Sequence, residues 1–369
     1  MNPTNYHDKL PILVEYGAYY SRVGFVGDQD PKEIYRTTIY GFKEQFANTV
    51  RNILNVEPSN YYVVIIKNTG TDRNQLKKEA DILFNEFNVK GCAFLNAQTG
   101  IIFAWAHGYS GLIFDIGYDK TIGIPIICGK PVDDLVGFSS IAGKFFEEFI
   151  TNDLIKCGSD KEIIKRNKET IIAFLVNNHY YFECQKDDFE FDLINDRLQN
   201  ISSSLVIDDE IEGKVEINLP DPELPIDLLN ESPNSKELSL NDFIIRTSKS
   251  CFSKIPFEKL ERIIISGGGG QILGLRSFLI NQLYELTSIK NLIKKYIMDF
   301  GKNTHAFHSF VRRVPPESYI TSSWVGASII FSLKYAPHLL ISRRDYETVK
   351  PIIDFCDEKL EAGIKEHKF

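Results

Sequence analysis

Two carboxylates stand where they could do chemistry. Glu15 and Asp115 each close an apolar run, and each is followed two residues later by a glycine, Gly17 and Gly117. A strand-end acid facing a cleft can hold the waters of a Mg²⁺ ion that bridges phosphates. The glycine beside it leaves room for backbone N–H groups to approach a polyphosphate, where a side chain would block them. A third motif, Ser266-Gly267-Gly268-Gly269-Gly270, lies between an apolar run and a helical pattern. In that context a glycine turn can lie against a base, ribose or phosphate. Each motif alone is also a common turn signal; the weight comes from the duplicated pair followed by the third.

The elements that must position these groups are legible around them. Residues 12–14 run into Glu15 and Gly17 and residues 22–26 run back, a hairpin. Residues 111–115 turn at Gly117 and return as 121–128, repeating the plan, so the chain contains an internal duplication. Between the hairpins, residues 42–54 carry Phe42, Phe46, Val50 and Ile53 on one helical face. Residues 61–66 have the β-branched and aromatic content of a buried strand. Thr71 and Asp72 offer caps to a helix that extends to about Phe87. This alternation implies an α/β fold. Gln98 falls on a predicted helix ahead of Asp115, where a glutamine is ordinarily a surface or capping residue. Residues 262–265 form a strand ahead of the glycine turn, with a helix from about Leu273. From Cys184 to about Asp242 the composition shifts to Asp, Glu, Asn, Ser and Pro. That stretch reads as an exposed, partly mobile insertion, most protease-sensitive over 208–223, with a partner-binding peptide as the functional alternative.

Composition removes several classes. A chain of 369 residues is long enough for two units with separate cores. Its 43% apolar and 25% charged residues are those of a globular protein. A net charge of -8 gives no general attraction to nucleic acid or anionic lipid. The most apolar stretch, 100–116, is broken by His107, Gly108, Ser110 and Asp115, short of a membrane span. The start carries no evident secretory signal. Six cysteines lie far apart with no Cys-x-x-Cys pair, which argues for reduced thiols in cytosol or nucleus.

On these residues the chain resembles actin and the actin-related proteins over nearly its whole length. Residues 13–17 through 22–28 are similar to the first phosphate hairpin of that family, with Arg22 at the place of its phosphate-contacting lysine. Residues 114–117 through 124–126 resemble the second hairpin, 265–268 with Gly274 the adenosine-side turn, and 323–328 the start of a late helix. The resemblance implies an actin-like, duplicated ribonuclease-H-like fold of two lobes around a nucleotide cleft. It implies a first lobe over 1–130, a second over 131–325 containing the acidic insertion 184–242, and a return to the first over 326–369. It places nucleotide contacts at Gly17, Ala18, Arg22, Asp115, Gly117, Tyr118, Gly267, Gly268 and Gly269, and Mg²⁺, through water, at Glu15 and Asp115. ATP or ADP with Mg²⁺ is implied as a structural ligand.

Departures from the family pattern shape the expected function. The catalytic histidine of the family falls on Ile122, which cannot relay a proton, so turnover is expected to be negligible although Gln98 keeps the water-orienting spacing. The lysine and glutamate that bracket adenine fall near Val176 and Asn177. Between Phe25 and Phe42 there is no room for the second subdomain, which in actin grips the next protomer at the pointed end. Local matches at 115–118, 124–126, 129–132, 251–260 and 341–356 resemble the pointed-end actin-related protein of dynactin, the actin-related protein 10 or 11 class. The implied role is a non-enzymatic, non-polymerising cytoplasmic cap on the actin-related filament of dynactin, which supports dynein transport. Its implied partners are the filament protomer and dynactin subunits 4, 5 and 6, with no nucleic acid, no membrane insertion and no homo-oligomer. A nuclear actin-related subunit of a chromatin remodeller is the alternative, and a sugar kinase of the wider superfamily would need a catalytic Asp that no motif singles out.

Overall fold

The computed structural model describes residues 10–38, 41–105, 109–183, 190–230, 232, 237–256, 259–260, 263–284, 311–313, 320–349 and 353–366. The chain opens with β1 (Ile12–Tyr16), β2 (Tyr20–Phe25), β3 (Glu33–Arg36), β4 (Tyr62–Lys67) and β5 (Gly91–Asn96). After the helix Ala97–Trp105 come β6 (Gly111–Ile116), β7 (Thr121–Ile127), β8 (Lys130–Pro131) and β9 (Gly137–Ser139). Short strands β10 (Tyr181–Phe182), β11 (Ser204–Asp209), β12 (Gly213–Asn218) and β13 (Glu223–Leu224) follow. Last are β14 (Ile263–Ser266), β15 (Val311–Arg313) and β16 (Ile341–Ser342).

Among the described residues these strands form two six-stranded sheets, the first in order β16-β5-β4-β1-β2-β3 and the second β15-β14-β6-β7-β8 with β9 also on β7. In each, an antiparallel hairpin carries a parallel neighbour on its first strand: β4 beside β1, β14 beside β6. Register repeats as well, with Glu15 opposite Arg22 and Asp115 opposite Ile122. The expected duplication is therefore present in the backbone.

Burial explains why these segments form strands and helices. Val63, Val64, Ile65 and Ile66 are all buried, as an interior parallel strand covered on both faces requires. On one face of the first sheet the helix Arg73–Asn85 packs Leu76, Ala80 and Leu83, spaced by four and three residues. The helix Ser322–Ser332 covers the other with Trp324, Ala327 and Phe331. In the second sheet Phe114, Ile116, Ile263 and Ile265 point to one core, Ile113, Ile122, Ile124 and Ile264 to another under the helix Ala97–Trp105. The helix expected over 42–54 is α-helical over Phe42–Asn48 and continues as one π-helical segment, Thr49–Ile53.

Three expectations change. The second hairpin pairs with β14, so the first unit does not extend to residue 130; strand pairing puts the break at the helix Ala97–Trp105. The connection between Phe25 and Phe42 is not bare, because β3 pairs with β2 as an edge strand. The stretch 184–242, expected to be exposed and partly mobile, is folded wherever it is described: a helix Phe191–Gln199, the hairpin β11–β12 and a helix Asp227–Asn230. Ile207, Ile217, Leu224, Leu228 and Leu229 are buried in the main core of the second half. Acidic composition concealed a period-two pattern, Leu205 and Ile207 against Val215 and Ile217, whose inward face offsets the entropy of ordering. Cys184, residues 231 and 233–236, His107, Gly108, Phe257 and Arg262 lie outside the described residues.

An acid fixes this hairpin. Asp209 accepts Nε and Nη2 of Arg166 at 3.0 and 3.1 Å, Nδ2 of Asn167 at 2.6 Å, and the backbone N–H groups of Ile211 and Glu212. The Arg166 bonds, with those amides, hold its carboxyl well below the usual carboxylate range. Limited proteolysis of the parent is expected to spare 208–213, and Arg166→Ala to open that site to cutting several-fold faster. First cleavage of the parent inside 208–213 would show that the hairpin is not held this way.

Candidate functional site: a cavity between two acid-glycine hairpins

A cavity of about 380 Å³ opens between the two sheets. Glu15, Gly17, Ala18 and Arg22 reach it from the first hairpin, Asp115, Gly117 and Tyr118 from the second. Gly267, Gly268 and Gly269 reach it from the turn after β14. The ten residues expected to contact nucleotide or Mg²⁺ are thus brought to one place, whereas Gln98, Gly270 and Gly274 do not line the cavity. Val176 and Asn177 also line it, on the helix Lys168–Asn178, beside Ile172.

Both hairpin turns close by the same bond: Gly17 N–H donates to Tyr20 O at 3.2 Å and Gly117 N–H to Lys120 O at 3.1 Å. The glycines therefore spend their own amides inside the turn, and a phosphate would be met by the amides that follow. The turn after β14 needs its glycines for space. Gly267 has φ +85°, and a Cβ there would sit 2.6 Å from Asp115 Oδ1 and 2.3 Å from Ile116 O. Gly268 differs, since the nearest atom to its Cβ position is 3.9 Å away. It is the open edge against which a ligand could lie.

The acids are held, not free. Asp115 Oδ2 accepts Nε2 of Gln98 at 2.7 Å. Burial pushes its carboxyl up to about 6; the Gln98 bond opposes this and the Glu15 charge across the cavity adds to it. Glu15 accepts the Ser323 hydroxyl at 2.8 Å and lies 3.5 Å from Arg22 Nη1. Arg22 also donates to Tyr20 O at 3.3 Å, so the cation expected to meet phosphate is engaged by protein groups. Gln98 corrects its expectation more sharply: it is fully buried. Its Oε1 accepts the Thr69 N–H at 3.1 Å and the Thr69 hydroxyl at 3.0 Å, while Nε2 also donates to Asn68. Sequence reasoning missed the site roles of Asn68, Thr69 and Ser323; the signals were the turn sequence Asn68-Thr69-Gly70 after β4 and the motif that Ser323 opens.

What could this arrangement hold? Among the described residues no group of three His, Cys, Asp or Glu side chains is placed to ligate a metal directly. Two carboxylates on opposite walls suit a hydrated divalent cation held through its waters, and the space beside Gly268 suits a flat or anionic group. Ile122 is 1% exposed, packed among Ile101, Ile113, Ile124 and Ile264, and contributes no proton acceptor to the cavity.

Residues 40–170 match the family described as Actin. Over that segment the chain is similar to actin-family proteins. The matched segment includes Gln98, Asp115 and Gly117, and proteins of this family generally bind nucleotide. Over a longer span the chain is similar to centractin of Schizosaccharomyces pombe (strain 972 / ATCC 24843), 19% identical over 404 residues that cover 96% of this chain and 99% of that protein. No helix among the described residues is long and apolar enough to cross a membrane.

Proposed function

We propose that this chain is a non-polymerising actin-related protein that binds ATP or ADP with Mg²⁺ as a structural ligand and caps the pointed end of the actin-related filament of dynactin. The observation that carries this reading is the connection between β2 and the helix Phe42–Asn48. Its described residues hold one four-residue edge strand, β3, in the place where the family resemblance puts a whole subdomain with the grip for the next protomer. A chain built so can dock one end on a filament and refuse further growth. It works in the cytoplasm with the cytoskeleton, with dynactin subunits 4, 5 and 6 on the truncated face.

Binding without turnover fits the cavity. Glu15 and Asp115 would hold the hydrated cation, Gly268 would lie against the nucleotide, and Ile122 has no group to move a proton. The filament contact belongs to the half that carries residues 341–356. Trp324 takes no direct part, being fully buried; Ile329 and Val349 are exposed apolar residues near that segment.

Sedimentation and electron microscopy of the purified protein, alone and with actin-related filaments, test this reading. Expected are no homopolymer, density at one filament end, and negligible phosphate release. Homopolymers, binding along filament sides, or hydrolysis at the rate of filamentous actin would overturn it. Co-purification with a remodelling ATPase in place of dynactin subunits would move the protein to the nucleus.

A further inference from the structure

Side chains from both sheets meet beside the cavity, and Tyr19, Tyr20, Tyr118, Glu147 and Glu169 line it. From the first come Tyr19 and Tyr20 in the hairpin and Arg36 at the end of β3. From the second come Tyr118 in its turn, Glu147 on the helix Gly143–Lys156 and Glu169 on the helix Lys168–Asn178. Arg36 Nη1 donates to Glu169 Oε2 at 3.2 Å, and the Tyr20 hydroxyl to Glu169 Oε1 at 3.3 Å. The Arg36 guanidinium lies 4.5 Å over the Tyr19 ring, whose centroid is 4.4 Å from that of Tyr118. Tyr118 donates in turn to Glu147 at 3.0 Å, and Glu147 is buried and paired with Lys168.

The chain is continuous from Glu147 through Tyr118 and Tyr19 to Arg36 and back to Glu169. A lone half-exposed ion pair such as Arg36 with Glu169 contributes little. Here it is coupled to a ring contact and a cation over an aromatic face, anchored at one end on a buried acid. In a cleft of two halves, a bound ligand ordinarily supplies such bridging. Protein groups supply it here, along the wall of the cavity.

We propose that these residues form a latch that keeps the two halves closed with no ligand bound, and that must open before a nucleotide-sized ligand enters or leaves. Closure itself does not depend on the nucleotide reading; only the release kinetics below do. The test places spin labels at Lys32→Cys and Lys165→Cys, with the remaining reactive cysteines changed to serine, in protein stripped of nucleotide and metal. The parent is expected to give one narrow distance that ATP and Mg²⁺ leave unchanged. Combining Arg36→Ala with Tyr118→Ala should give a longer, broader distribution. A broad distribution in the ligand-free parent, or a narrow one in the variant, overturns the latch. Should that variant not fold, Glu169→Gln with Tyr118→Phe nearly keeps both side-chain volumes while removing the Glu169 charge and the Tyr118 hydroxyl, and the same criteria apply. Release of ATP carrying a fluorescent ribose label should be about ten-fold faster from the open variant. Failure of any form to bind ATP would defeat the nucleotide reading and leave the distance result standing.

Discussion

Replacing Gly326 by alanine is expected to remove about 3 kcal/mol of stability or more, measured by urea unfolding. Helix propensity alone would favour the change, since alanine is better than glycine by about 1 kcal/mol in a helix interior. Contact decides the sign. A Cβ on Gly326 would lie 1.7 Å from Gly100 O, and one on Gly100 would lie 2.4 Å from Ser323 O. Both clashes set side chain against backbone, so no rotamer relieves them, and the helices Ala97–Trp105 and Ser322–Ser332 must separate. Separation loosens Trp324, fully buried with Nε1–H on Leu13 O at 3.4 Å, and moves the Ser323 hydroxyl off Glu15. A loss below about 1 kcal/mol would mean that the two helices do not meet so closely.

Asp115→Asn is expected to have opposite effects with and without ligand. The folded-state pKa lies near 6, above the ordinary 3.8, so the folded chain binds this proton more tightly than the unfolded one. Ionising Asp115 therefore destabilises the ligand-free fold as pH rises from about 4 through 6, and the cost persists above 6, on the order of 2–3 kcal/mol. The asparagine variant should flatten that dependence and melt higher than the parent at pH 8 when stripped of ligand. With Mg²⁺ and ATP the order reverses, because the carboxylate that costs stability is the one that holds the cation. Binding should weaken about ten-fold or more, and the thermal upshift on adding ligand should shrink with it. Parent-like affinity, together with an unchanged pH profile, would reduce Asp115 to a turn residue.

Local chemistry made much of this site legible in advance. An acid, a glycine two residues on and a returning apolar strand need only one another, and both hairpins have the turn bond and register that their sequences imply. What depended on distant partners was hidden. Gln98 reads as a surface residue until Thr69, in a turn on another strand, is found to surround it. Arg36 and Glu169 lie in different sheets' territory, and no pattern in either segment announces the other. Hairpin β11–β12 failed for another reason: its acids dominate the composition while its alternation is only two residues deep on each strand. Burial of Ile207 and Ile217, and the Arg166 clamp on Asp209, outweigh that composition.

The margins of the first sheet carry a consequence for solubility. β3 ends it on one side with four residues, Glu33-Ile34-Tyr35-Arg36, two of them charged, and β16 ends it on the other with two residues that pass at once into the helix Arg343–Thr348. A long flat apolar margin invites strands of other chains to add in register, the route to sheet-to-sheet aggregation. Short, charged margins offer few backbone groups to an incoming strand and place Glu33 and Arg36 where it would lie. β3 and β16 thus offer further copies of the chain little backbone against which to add a strand.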